Sequence, residues 1–128
     1  MPAKNSKRPK YLNLLRIRLP IGGVVSILHR VTGVLLVLVL PLALLLLQQS
    51  LRNPESYAQV VTLLGSMPAR VFLLFTAALL VHHFLAGVRH LLLDLDVGIS
   101  RRGSSVGAWL VMASVASAVL IVARSLFL

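Results

Sequence analysis

Four histidines lie in two short motifs of an otherwise apolar chain. His29 belongs to "SILHRVTG", Ser26 to Gly33, and His82, His83 and His90 belong to "HHFLAGVRHLLLD", His82 to Asp94. Arg30 and Arg89 accompany them. Imidazole and guanidinium groups inside long runs of Leu, Val and Ala are expensive in hydrocarbon, so they need a chemical reason to be there. An imidazole at such depth can ligate haem iron, relay protons, or hydrogen-bond a polar group on another helix.

Helical spacing sorts these residues into stripes. Ser26, Arg30 and Gly33 stand at i, i+4 and i+7 and share a face, with His29 beside it. His83, Gly87, His90 and Asp94 stand at i, i+4, i+7 and i+11 and form a second stripe. His82 and Arg89, seven apart, form a neighbouring one. A glycine four residues after His83 removes bulk where a flat porphyrin would approach. Arginines nearer the surface suit haem propionates, whose charge must be neutralised in low dielectric. Ser26 and Arg30 can donate hydrogen bonds to the carbonyl of a lipid-soluble ligand. On spacing alone, haem ligation, a proton or ion path, and structural bonds between helices all stay open. One well-placed histidine does not complete a bis-histidine haem site, so a partner would have to supply the second.

The elements that position these residues are membrane spans. Hydrophobic residues make up 58% of the 128-residue chain and charged ones 12%, against about a quarter charged in a soluble domain. Crossing ~30 Å of hydrocarbon takes about 20 helical residues. Three segments qualify, at about 21–48, 68–93 and 106–127. The expected architecture is an all-α integral membrane protein, with a basic N-terminal segment over 1–20 and one three-span anchor domain over 21–128. Pro20 suits the start of the first span, and Pro41 predicts a bend near Val37–Pro41. Residues 49–66 read as a polar loop with a short helix at its end, and 94–105 as a second polar loop. Small residues of the third span, including Gly107 and Ala108, permit close helix approach.

Charge sets the expected orientation. Lys4, Lys7, Arg8, Lys10, Arg16 and Arg18 precede the first span without an acid among them. The positive-inside bias places the N-terminus and the second loop in the cytoplasm and the C-terminus outside. A net charge of +10 does not indicate nucleic acid here, because the basic residues flank apolar runs and suit contact with membrane lipids. The segment around "YLNLLRIRLP" either lies in the headgroup region or forms a tail and linker. The first apolar run is too long for a signal-peptide core, so the span is expected to be retained. Cysteine is absent, which excludes disulfides and iron–sulfur ligation by this chain. No inverted repeat, paired broken helices or buried carboxylate speaks for a transporter.

Depth brings the stripes together. Arg30 lies about 14 Å along its helix from Ile21, and His83 about 16 Å from Asp94. Antiparallel neighbours would place both at one level, with Arg89 and His90 nearer the cytoplasmic surface.

The two motifs, in this order and at this separation, resemble the cytochrome b membrane-anchor subunit of succinate dehydrogenase. The lead-in "RPKYLNLLRIRLP" is similar as well, and the resemblance covers the whole length. It implies a helical bundle formed with a second small three-span anchor subunit, holding an iron–sulfur subunit and a flavoprotein subunit on the cytoplasmic face of a bacterial inner membrane, with the C-terminus periplasmic. Electrons from succinate would pass through FAD and iron–sulfur clusters, both in partner subunits, to ubiquinone. One haem b would sit between the anchors with one axial histidine from each. By the resemblance that ligand is His83. His29, Arg30 and His90 fall at positions near the propionates, Ser26 and Arg30 at the quinone site, and Asp94 at the acid closing the second motif. The chain would not be catalytic on its own. His82 departs from the pattern, where an aromatic or apolar residue is expected, and is a second candidate ligand; Arg89 is a further candidate site residue. The same resemblance extends to the anchor of a related fumarate reductase, and the haem-free alternative is a structural anchor or assembly protein.

Overall fold

The computed structural model describes residues 19–128. The expectations for the basic segment 1–18 lie outside the described residues. Four helices follow one another: α1 (Ile21–Ser50), α2 (Pro54–Gly65), α3 (Met67–Asp94) and α4 (Arg101–Phe127). Three of them, α1, α3 and α4, are long and apolar enough to cross a membrane. The chain is a multi-pass, all-helical membrane protein.

Its spans alternate in direction. Near one end the Arg89 guanidinium of α3 bonds Ser104 of α4, and a Cβ on Gly22 of α1 would lie 3.1 Å from Arg89 Nη2. At the other end Arg70 Nη1 of α3 donates to the Leu126 carbonyl of α4 at 3.0 Å. The start of α1, the end of α3 and the start of α4 therefore gather on one side.

Two boundaries differ from the sequence expectation. The segment 49–66, expected as a polar loop with a short helix at its end, is mostly helix. Asn53 is the N-cap of α2, its side chain accepting from Ser56 N at 2.7 Å, Pro54 takes the first turn, and Glu55 follows. Asn, Pro and an acid in succession are helix-start chemistry as well as loop punctuation. At 12 residues α2 reaches about 18 Å, too short to cross, and it packs against α1 and α3. The third span starts earlier than the expected residue 106. Ser100 caps α4 by accepting from Gly103 N at 3.0 Å, so Arg101 and Arg102 fall in its first turn. Hydropathy placed the start where charge ends, whereas the cap places it where the backbone turns.

Between them α3 closes in a Schellman arrangement. Val97 N bonds the Leu92 carbonyl at 2.9 Å and Asp96 N the Leu93 carbonyl at 3.0 Å. Asp96 takes the left-handed conformation, φ 60°, which Asp tolerates better than most residues. α1 stays helical through Pro41.

Few residues are buried, as befits spans that face lipid or other subunits. The core joins Val25 of α1, Ala86 of α3, and Ala108 and Val111 of α4, with Ile21, Leu85, Met112 and Val115 packed against it. Gly22, Ala86, Gly107 and Ala108 are small where the three helices meet, which lets backbones approach. By contrast Ala113, Ser114, Ala116 and Ser117 of the third span are exposed.

Candidate functional site

Adjacent residues on a helix point about 100° apart, and α3 uses this to send its two neighbouring histidines to different places. Leu79, His82, Ala86 and Arg89 form its buried stripe. His83, Gly87 and His90 are half-buried and stand at the seam with α1.

His83 is held by α1 on several sides. Its ring stacks on that of His29, with centroids 4.2 Å apart and planes 8° from parallel. Its Nδ1 lies 3.0 Å from the His29 carbonyl oxygen and 3.3 Å from Thr32 Oγ1. A carbonyl can only accept, so this contact assigns the proton to Nδ1 and leaves the lone pair on Nε2. Gly33 completes the seat, because a Cβ there would fall 2.9 Å from His83 Cε1.

The other candidates line the same seam. The His29 and His90 rings meet at 5.0 Å, tilted by 55°. Gly87 makes room for His29, whose Nε2 would lie 3.3 Å from a Cβ at that position. The sequence suggests that this glycine leaves space for a porphyrin; in the fold a histidine ring uses that space. Ser26, His29, Arg30, Gly87 and His90 border a groove of about 440 Å³. His29, Arg30 and His83 border a second one of about 500 Å³, with Val34, Val37 and Leu38 as its apolar rim. Arg30 is exposed on this face. Ser26 also lines a larger cavity of about 820 Å³ at the junction of α1, α3 and α4, shared with Arg89, His90 and Arg101.

Three candidates lie apart from this group. His82 is 5% exposed, and neither ring nitrogen has a partner among the described residues. Both nitrogens are enclosed by the chain's own packing, and His82 borders neither groove of the α1–α3 seam. Arg89 is 8% exposed and runs between Gly22 and Gly107 to donate from Nη2 to Ser104 Oγ at 2.9 Å and Ser104 O at 3.1 Å. It joins α3 to α4, although its stem also borders the larger cavity. Asp94 ends α3 and is exposed.

Thr32 was not singled out from the sequence. It is 6% exposed and donates from Oγ1 to the His29 carbonyl at 3.0 Å. Its only sequence signal is the i+3 relation to His29, which any helical threonine shares.

The donor set fits a haem held between this chain and another. Among the described residues no three His, Asp or Glu side chains converge to hold a metal ion unaided. A haem iron needs only one axial nitrogen from each side. His83 has its Nδ1 bonded to backbone, the arrangement that orients a metal-binding imidazole and raises its basicity. His29, Arg30 and His90 supply cationic or hydrogen-bonding groups along the same face.

The chain is similar to known membrane proteins. The succinate dehydrogenase/fumarate reductase transmembrane subunit family model matches residues 4–123. A succinate dehydrogenase cytochrome b556 subunit of Coxiella burnetii (strain RSA 493 / Nine Mile phase I) is 36% identical over 94 residues, which is 71% of this chain and 74% of that protein.

Proposed function

Since the chain belongs to the succinate dehydrogenase/fumarate reductase transmembrane subunit family, we propose that it is the cytochrome b anchor of a succinate:quinone oxidoreductase, contributing one axial haem ligand, His83, and part of a ubiquinone site, Ser26 and Arg30. The observation that carries this reading is the seat of His83. Its Nδ1 is 3.0 Å from the His29 carbonyl, and its ring borders a groove with an apolar rim. A histidine serving only to tie helices together would not need a free Nε2 on an outward face. His82, with both nitrogens enclosed, borders neither groove of the α1–α3 seam and presents no such nitrogen.

A second small anchor would bring the other axial histidine. Haem b, when bound, supplies a one-electron carrier within the membrane. His29, Arg30 and His90 would hold its propionates by charge and hydrogen bonds. Ser26 lies four residues nearer the start of α1 than Arg30, toward the face where an iron–sulfur subunit would dock. Its hydroxyl can donate to a quinone carbonyl, and Arg30 can stabilise negative charge as the ring is reduced. The flavoprotein and iron–sulfur subunits would carry FAD and the clusters.

The reading is tested by the spectrum of the purified complex assembled around this chain, where a succinate-reducible b-type haem is expected and its absence counts against it. Its orientation is tested separately. With the N-terminus cytoplasmic and the C-terminus periplasmic in an inner membrane, reporter fusions after Leu51 and after Gly98 are expected to report opposite compartments, the second one cytoplasmic. One compartment for both would overturn the alternating topology, and a reversed pair would overturn the orientation.

A further inference from the structure

We infer that Thr32 is a positioning residue for His83: its hydroxyl fixes the plane of the ring and its Nδ1-protonated form, so that Nε2 presents its lone pair to the haem iron. The inference rests on the haem reading above and goes beyond it, because it concerns a residue with no direct reach to iron.

Three observations converge. First, Thr32 is one of only two buried residues of α1, and a buried hydroxyl in a membrane span needs partners. It has two. It donates to the His29 carbonyl at 3.0 Å and stands 3.3 Å from His83 Nδ1. Second, the same carbonyl takes the His83 Nδ1–H at 3.0 Å. The hydroxyl, the carbonyl and the imidazole thus form a closed triangle, and the Nδ1–H is shared between two oxygens of α1. A single hydrogen bond leaves a ring free to swing about its axis, whereas two acceptors side by side, with the His29 ring stacked at 4.2 Å, define its plane. Third, the next residue is Gly33, where any Cβ would meet the ring at 2.9 Å. The ring is therefore confined from the Thr32–Gly33 turn of α1 as well as from the His29 side. All three contacts come from one helical turn, His29 to Gly33.

The orientation of an axial imidazole affects how it donates to iron, and the bond at its far nitrogen tunes its basicity. A change confined to the hydroxyl should appear in the haem's electronic properties before it appears in assembly. The test compares Thr32→Val, which keeps the shape and removes the hydroxyl, with Thr32→Ser, which keeps the hydroxyl, both in the intact complex beside the unaltered one. The readouts are haem content, the low-spin electron paramagnetic resonance signal of the oxidised haem, and its midpoint potential. The expected result is a displaced resonance signal and a displaced potential in the valine variant, with the serine variant matching the unaltered complex. Loss of haem from the valine variant alone would support the same role. Valine behaving as the unaltered protein, or serine behaving as valine, would overturn it. A haem-free unaltered complex would overturn the underlying haem reading, and the inference with it, and that outcome is recognised before either variant is measured.

Discussion

Replacing His83 with alanine is expected to abolish the b-type absorption of the assembled complex, while replacing His82 with alanine leaves it in place. Loss of groups that merely orient a metal ligand costs about 10–100-fold in metal affinity, so loss of the ligand itself should exceed that range. The contrast follows from where two adjacent side chains point. His83 stands in the seat formed by His29, Thr32 and Gly33. His82 points about 100° away from it around the helix and is enclosed, with no partner for either nitrogen among the described residues. Its removal leaves a cavity at the level of the bundle core but also takes away two buried nitrogens without partners, so the two effects oppose each other in stability and haem content is expected to stay unchanged. Haem content per assembled complex, measured with heat stability, separates loss of a ligand from a change in packing. If the His82 variant lost haem and the His83 variant kept it, His82 would be the ligand.

The second large effect concerns Ser26. In an assembled complex, Ser26→Ala is expected to reduce ubiquinone reduction by about tenfold to a hundredfold, the consequence of losing one hydrogen bond to a group that gains charge. Electron transfer from succinate to a soluble dye that accepts before the membrane should stay near normal. Ser26 lines both the groove with Arg30 and His90 and the larger cavity that opens at the α1–α3–α4 junction. A head group there would lie close to the end where, in the proposed reading, a donor cluster would dock, and would still be reachable from lipid. Arg30 could serve a propionate alone, in which case Arg30→Leu would disturb the haem spectrum more than quinone turnover. Unchanged quinone reduction with an unchanged KM in the Ser26 variant would remove the serine from the quinone site.

Some of this architecture was legible from residue types and spacing. Long apolar runs with flanking charges define the three spans because hydrocarbon thickness sets their length. The matched depths of Arg30 and His83 follow from helical rise, and in the fold the His29–Gly33 turn does meet His83. Other features needed the packing. The stripe that His83 shares with Gly87 and His90 favours His83 over His82, whereas the burial of His82 depends on how the other helices pack against α3, which periodicity does not encode. Arg89 shares a stripe with His82, but its bond to Ser104 connects residues of two helices across a turn. Asn53-Pro54-Glu55 carries the same signal whether it breaks a loop or starts a helix, so the short helix expected at the end of 49–66 is legible but its start at Pro54 is fixed only by the Asn53–Ser56 cap. Arg101 and Arg102 concealed the first turn of α4 because hydropathy weighs charge and not capping. Thr32 remained hidden because a threonine bonded back to its own helix is common in membrane spans. Its proximity to His83 is a tertiary fact.

The most direct measurement is the reduced-minus-oxidised spectrum of the purified complex assembled around the unaltered chain, with succinate as the only reductant and extracted haem quantified against the amount of this chain. The account predicts a b-type spectrum that succinate develops, at one haem per pair of anchors. A complex that assembles and oxidises succinate but contains no b-type haem would contradict the account and leave the histidines of the α1–α3 seam with a purely structural role.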